Sequence, residues 1–190
     1  KSVFDRHDVA RALHRYVEGP DAFQAAYVRV MASPALVELQ GEVRDAQGRT
    51  VERARYSTRE MVGIERSMAA SAERLMDACG YGVAGRRVEA AIAARPHLAA
   101  EQQVAIEHVT GDERIAVVVG LAGAGKSSIL AAAREAWDGQ GFRVHGAALS
   151  GKAAEGLEES AGIGSRTLAS WERRWARGFD RLGRGDVLVV

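Results

Sequence analysis

The chain has 190 residues, 47% of them hydrophobic, and its 26 Lys and Arg residues almost balance its 25 Asp and Glu residues. This composition can build a packed core and excludes a chain that is disordered throughout. The near-neutral charge means that nucleic-acid binding cannot be argued from a global basic field. Cys79 is the only cysteine, which excludes an intrachain disulfide and suits a reducing compartment.

The sequence contains no long uncharged apolar stretch and no signal-peptide pattern. We therefore expect a cytoplasmic protein without membrane insertion. The chain begins at Lys1, not at a methionine, and ends inside the strand-like run Val187–Val190. We expect a segment of a longer polypeptide, with the missing C-terminal remainder as its first partner.

Residues 1–95 carry no recognisable chemistry, and their role is left open. The apolar spacing predicts a mostly helical region with a small β-hairpin. Cys79 is expected to be buried and inert. The predicted elements are a helix ending near Gly19, a helix over 21–32, strands over 35–40 and 51–56, a long helix opened by a Ser57–Glu60 capping box and ending near Ala78, and a short helix over 86–95.

Residues 96–190 read instead as alternating β and α segments. This alternation predicts an α/β fold with a parallel sheet and helices on both faces. The predicted elements are a helix over 99–109, a strand over 114–119, a helix ending near Trp137, a strand over 142–149, helices over 152–160 and 167–177, and a strand beginning at Asp186.

A glycine-rich loop at Gly120–Ser127 carries the most specific signal in the chain. It fits the pattern G-x-x-x-x-G-K-[ST], between the 114–119 run and an alanine-rich helix. Glycines let the backbone N–H groups face phosphate oxygens, and the helix N-terminus adds positive charge. Lys126 is then the catalytic residue that reaches the β- and γ-phosphates, and the Ser127 hydroxyl ligates Mg²⁺. The nucleotide-binding residues predicted here are Gly120, Ala122, Gly123, Ala124, Gly125, Lys126, Ser127 and Ser128.

Two flanking segments resemble motifs of RecD-like superfamily 1 DNA helicases. The segment Leu98–Ile106 resembles the one ahead of the phosphate loop, although Ala99 and Ala100 depart from its usual residues. This resemblance implies that Gln102, or alternatively Gln103, reads the adenine of ATP.

The second flanking segment follows the phosphate loop. Gly146–Ala154 resembles the motif that ends in Thr-Gly-Lys-Ala-Ala, with Ser150 in place of the threonine. The resemblance implies that Ser150, Gly151 and Lys152 contact the backbone of single-stranded DNA.

The wider chain resembles the helicase portion of TraA-type conjugative transfer relaxases, from Phe4–Leu13 through Arg53–Met61 and the phosphate loop to Asp186–Val190. That resemblance implies a RecA-like P-loop domain at 96–190, incomplete at its C-terminus, in an ATP-dependent helicase that moves on single-stranded DNA, by analogy 5′ to 3′, during plasmid transfer. Other conjugation proteins are further implied partners. In the family, a strand like Asp186–Val190 runs into an Asp-Glu pair that holds Mg²⁺, so the isolated chain is expected to bind ATP weakly and to hydrolyse it negligibly.

Two other classes of protein stay open on the sequence. The loop also occurs in small-molecule and nucleotide kinases, which usually place it near the N-terminus, whereas 119 residues precede it here. The second of these classes is a non-enzymatic interaction module, in which a bound nucleotide only stabilises the fold. The five histidines lack metal-ligand spacing, so no nicking activity is assigned. Trp171 and Trp175 are expected to form a buried helix face, with stacking on DNA bases as the alternative.

Overall fold

The computed structural model describes residues 2–121 and 123–190. Its backbone forms two compact units, one ending at Ser71 and the other running from Ala72 to Val190. In chain order the elements are α1 (Arg6–Leu13), α2 (Pro20–Met31), β1 (Leu36–Gln40), β2 (Val43–Arg44), β3 (Thr50–Glu52), β4 (Arg55–Thr58), α3 (Arg59–Met76), α4 (Gly85–Ala93), α5 (Ala100–Val109), α6 (Lys126–Gln140), β5 (Arg143–Ala148), α7 (Gly151–Ala161), β6 (Ser165–Thr167), α8 (Leu168–Ala176) and β7 (Asp186–Val189).

The first unit contains α1, α2, two antiparallel strand pairs and most of α3. A capping box starts α1, because Asp5 accepts from the Asp8 N–H at 2.8 Å and Asp8 accepts from the Asp5 N–H at 3.1 Å. Pro20 opens α2, where its missing N–H costs no helical hydrogen bond. The predicted hairpin is present in part: β1 pairs with β4, antiparallel, but the predicted 51–56 strand is divided between β3 and β4. The predicted 41–50 loop contains β2, which pairs with β3, also antiparallel.

The start of α3 corrects one sequence prediction. The predicted cap, Ser57, is buried, and its hydroxyl donates to the Ser2 carbonyl at 2.7 Å. The Thr58 hydroxyl instead accepts from the Met61 N–H at 3.2 Å, which is the contact an N-cap makes. Ser57 and Thr58 both carry the hydroxyl group that an N-cap needs, so the sequence does not distinguish them. Ser57 pairs with β1 as part of β4, which leaves Thr58 to cap the helix.

Helices α4, α5 and α6 form the apolar core of the second unit. Ile106 of α5 is fully buried and packs with Ile129 and Ala132 of α6. These helices carry their apolar residues at helical spacing, so their packed faces remove a continuous surface from water. The core consists of Val88, Ala91, Leu98, Ile106, Ile129, Ala132 and Ala136.

A parallel sheet with the order β6-β5-β7 lies in the same unit. Gly146 lets β6 approach β5 closely, since a Cβ there would lie 2.0 Å from the Ser165 Oγ. The indole of Trp171 is buried and donates to the Gly146 carbonyl at 2.9 Å, which ties α8 to the central strand. The sheet confirms the predicted α/β class, although β6, only three residues long, was not predicted.

Two further expectations for this unit were wrong. Residues 114–119 form no strand, because no described strand pairs with them, and the Val117 and Val119 side chains are exposed. The β-branched residues of this run favour the extended conformation, but a β-strand forms only where a neighbouring backbone supplies hydrogen bonds. Cys79 is exposed, not buried. Among the described residues, no helix combines the length and hydropathy needed to cross a membrane.

Asp186 fixes the amino end of β7 against β5. Its carboxylate is buried and accepts from the Gly183 N–H at 2.8 Å, from Arg143 Nε at 2.9 Å, and contacts His145 Nε2 at 3.1 Å. The Gly183 N–H does most to lower the pKa of Asp186 below its ordinary value of 3.8, and His145 and Arg143 add to this against the effect of burial.

The lowered pKa predicts an acid-dependent loss of stability. Because folding favours the ionised carboxylate, Asp186 stabilises the fold above about pH 4, and this contribution disappears as the pH falls through the lower folded-state pKa. We expect Asp186→Asn to lower the free energy of unfolding by about 1–3 kcal/mol at pH 7. Urea titrations at pH 7, 5 and 2.5 measure the effect, and a deficit that stays constant down to pH 2.5 would contradict the assignment.

Candidate nucleotide-binding site

Two left-handed glycines shape the phosphate loop. Gly123 has φ +81° and Gly125 has φ +74°, a backbone region that side chains with a Cβ rarely adopt. Between them, the Ala124 N–H donates to the Leu121 carbonyl at 3.2 Å and closes a turn. Ala122, the remaining predicted loop residue, lies outside the described residues. The described part of the loop thus has the curled backbone that the sequence pattern requires.

Lys126 is the first residue of α6, and its side chain folds back over the loop. The Nζ ammonium donates to the carbonyls of Gly120 and Leu121, each at 2.8 Å. An ammonium has three donors and no acceptor, so the lysine brings a concentrated positive charge to the loop. Lys126 is exposed and can exchange these carbonyls for phosphate oxygens.

The loop residues present suit a polyphosphate with Mg²⁺. A Cβ on Gly123 would meet nothing within 4 Å, so open space lies beside the curled backbone. Ser127 is exposed in the first turn of α6, where its hydroxyl oxygen is a suitable ligand for a hard cation. Ser128 is half-buried, and its N–H donates to the Gly125 carbonyl at 3.0 Å. No group of three or more His, Cys, Asp or Glu side chains within residues 2–121 and 123–190 is placed to hold a metal by itself.

The Gln102 side chain reaches the loop from α5. Its Nε2 donates to the Ala124 carbonyl at 3.1 Å, and its Oε1 accepts from the Ala99 N–H at 3.0 Å. Gln103 turns elsewhere, because its Nε2 donates to the Leu98 carbonyl. Of the two glutamines considered for adenine recognition, Gln102 is therefore the one in contact with the phosphate loop.

The Ser150–Lys152 turn lies at the carboxyl end of β5. The Ser150 hydroxyl caps α7 by accepting from the Ala153 N–H at 3.2 Å, and Gly151 and Lys152 form the exposed first turn. Beside it, Thr167 caps α8 by accepting from Ser170 N–H, and Ala148 pairs with Thr167 across the two strands. Thr167 was not among the predicted site residues, and the only sign of its role in the sequence is a hydroxyl residue that precedes the apolar spacing of α8.

The two tryptophans of α8 and its Arg174 make structural contacts. Trp171 is buried, as expected, and the Trp175 indole donates to the Asp180 carbonyl at 2.9 Å. The Asp180 carboxylate binds Arg166 at 2.7 Å and also Arg174. Those guanidinium groups, Arg174 foremost, lower the pKa of Asp180 to about 2. These contacts favour the packing role of the two tryptophans over base stacking.

The second part of the chain matches a known domain family. Residues 97–190 match the profile of the AAA domain family, in agreement with the parallel sheet and the phosphate loop of the second unit.

Over its whole length the chain is a close homologue of conjugal transfer proteins named TraA, which confirms the resemblance found in the sequence. It is 48% identical to "Conjugal transfer protein TraA" from Rhizobium radiobacter, and 48% and 47% identical to TraA proteins from Agrobacterium fabrum and Sinorhizobium fredii, the last named as probable. Each comparison covers 100% of this chain and 17% of the relative, so the chain spans about a sixth of the length of these relatives.

The geometry of Gly125 predicts a stability change. A Cβ at Gly125 would adopt a left-handed φ and lie 2.2 Å from Gln102 Nε2. We expect Gly125→Ala to cost at least about 1–2 kcal/mol, from the backbone alone. Unfolding followed by circular dichroism measures this cost.

A matched control is Gly156→Ala within α7, where a Cβ meets nothing within 4 Å. There the change should stabilise the helix by about 0.5–1 kcal/mol. Equal effects of the two substitutions would contradict the described loop.

Proposed function

We propose that the chain is part of an ATP-driven DNA helicase motor that acts in conjugative plasmid transfer. The observation that carries the proposal is the phosphate loop, with the Lys126 ammonium inside it and Gln102 against it. The AAA domain match over 97–190 and the homology to TraA proteins support the same function. The motor portion is assigned to residues 96–190, and residues 1–95 receive no role in the chemistry.

In this proposal, the loop residues bind the triphosphate of ATP. Lys126 leaves the Gly120 and Leu121 carbonyls and pairs with the β- and γ-phosphates, where its charge offsets that of the phosphate oxygens. Backbone N–H groups of the loop and of Lys126 and Ser127 at the start of α6 add donors, because the first N–H groups of a helix face away from its hydrogen-bonded interior. The Ser127 hydroxyl is the chain's ligand for Mg²⁺, which supplies charge neutralisation when bound.

Adenine recognition is assigned to Gln102. An amide carbonyl oxygen has a second lone pair and an NH₂ group has a second hydrogen, so both ends of Gln102 can still bind a base while they keep their protein contacts. The amide NH₂ can donate to N7 of adenine, and the amide oxygen can accept from the N6 amino group. Guanine carries acceptors at N7 and O6, so the same amide disfavours GTP.

The Ser150–Lys152 turn is the proposed contact with single-stranded DNA. A serine hydroxyl, free N–H groups at a helix start and a lysine are all suitable partners for one phosphate. Contacts of this kind carry no sequence preference, which suits a protein that moves along a strand. Movement follows if nucleotide binding and release shift this turn relative to the rest of the motor.

Paired lysine substitutions separate the two proposed sites. Lys126→Ala should weaken Mg·ATP binding by about ten- to a hundredfold, because it removes a charged contact to phosphate, and should abolish ATPase in the complete protein. Lys152→Ala should leave ATP affinity unchanged and lower affinity for an oligo(dT) strand. It should also reduce the slope of log affinity against log salt by about one.

The measurements are calorimetric titration with Mg·ATP and Mg·GTP, and fluorescence anisotropy with labelled oligo(dT) at several salt concentrations. Circular dichroism checks that each variant is folded. An unchanged ATP affinity in the Lys126 variant would contradict the nucleotide site. Stabilisation by a small phosphate acceptor would favour a kinase, and indifference to every nucleotide would favour an interaction module.

A further inference from the structure

The Gln102 amide is held at both ends by backbone groups. Its Oε1 accepts from the Ala99 N–H and its Nε2 donates to the Ala124 carbonyl. The two partners differ in kind, a donor on one side and an acceptor on the other, so they fix which end of the amide faces the loop. Gln102 is thus a defined bridge from the start of α5 to the phosphate loop.

The Gln102 side chain contacts the phosphate loop at Ala124 and Gly125, the two residues before Lys126. The Nε2 atom would be 2.2 Å from a Cβ built on Gly125, so the glycine leaves room for the glutamine as well as adopting the left-handed turn. The side-chain amide of Gln102 therefore packs against the peptide group that joins Ala124 to Gly125. Gly125 is the residue directly before Lys126.

The two helices beside the bridge, α5 and α6, are packed against each other. Ile106 of α5 has no exposed surface and packs with Ile129 and Ala132 of α6 in the apolar core. The hydrogen bond therefore restrains a glycine-rich turn between two helices that are fixed against each other. Glycine-rich segments lose the most conformational freedom on ordering, so a restraint at this place has the largest effect on binding.

We propose that Gln102 is a positioning residue of the phosphate loop, one that holds the loop in the form that binds a polyphosphate even when no base is present. This rests on the proposed nucleotide site and deepens it. A residue that only reads adenine contributes nothing to the binding of a ligand without a base. Inorganic tripolyphosphate is such a ligand, and it separates the two roles.

The experiment titrates the 190-residue chain and its Gln102→Met variant with Mg²⁺-tripolyphosphate and with Mg·ATP by calorimetry. Methionine keeps the length of the side chain and removes both hydrogen bonds without adding charge. We expect the tripolyphosphate affinity to fall about fivefold, the size of one lost neutral hydrogen bond, and the ATP affinity to fall at least as far. A variant that loses ATP affinity alone, with tripolyphosphate binding unchanged, would overturn the inference and leave the nucleotide site standing.

A second variant separates the two contacts of Gln102, one with the start of α5 and the other with the phosphate loop. Gln102→Met also removes the acceptor for the Ala99 N–H, which weakens the start of α5. Ala99→Ser is added to restore helix stability through a different contact, since a serine hydroxyl at the N-cap accepts from an N–H of the first turn. We expect the double variant to recover thermal stability but not tripolyphosphate affinity. Recovery of that affinity would show that the cap, not the contact with Ala124, is responsible. An unmodified chain that binds neither ligand would overturn the proposed function and this inference together.

Discussion

The contact between α5 and α6 is the interaction on which the candidate site depends. Ile106, Ile129 and Ala132 bury a continuous apolar face, and the two helix ends that emerge from it carry Gln102 and Lys126. Hydrophobic packing therefore sets the distance across which a single amide reaches the phosphate loop. The loop is held from two sides, by its own helix and by a neighbour that is distant in sequence. The proposed phosphate site thus depends on apolar contacts that lie outside the site itself.

Features set by local sequence were predictable. The phosphate loop was predicted from eight consecutive residues, and the structure has left-handed glycines at 123 and 125 within them. Most helices were also predicted, because their apolar residues recur at helical spacing and because Pro20 and Gly141 mark their limits. The relationship to conjugal transfer proteins was likewise visible in the sequence, in short segments spread along the chain from Phe4–Leu13 to Asp186–Val190.

Features set by distant partners were not predictable from the sequence. The 114–119 run has the composition of a strand but lacks a neighbouring strand among the described residues, whereas the polar triplet of β6 becomes a strand because Gly146 admits it beside β5. Thr58 caps α3 because pairing with β1 withdraws Ser57. The bridge from Gln102 to Ala124 spans 22 positions, and no local pattern encodes it.

The exposed side chain of Cys79 has a practical consequence. It is the sole thiol in 190 residues and stands at the surface of the unit that contains the phosphate loop. A maleimide dye will therefore attach at one defined position, without first removing competing cysteines by mutagenesis. Fluorescence from that position offers a way to follow structural changes in this unit in real time, without altering the sequence of the chain.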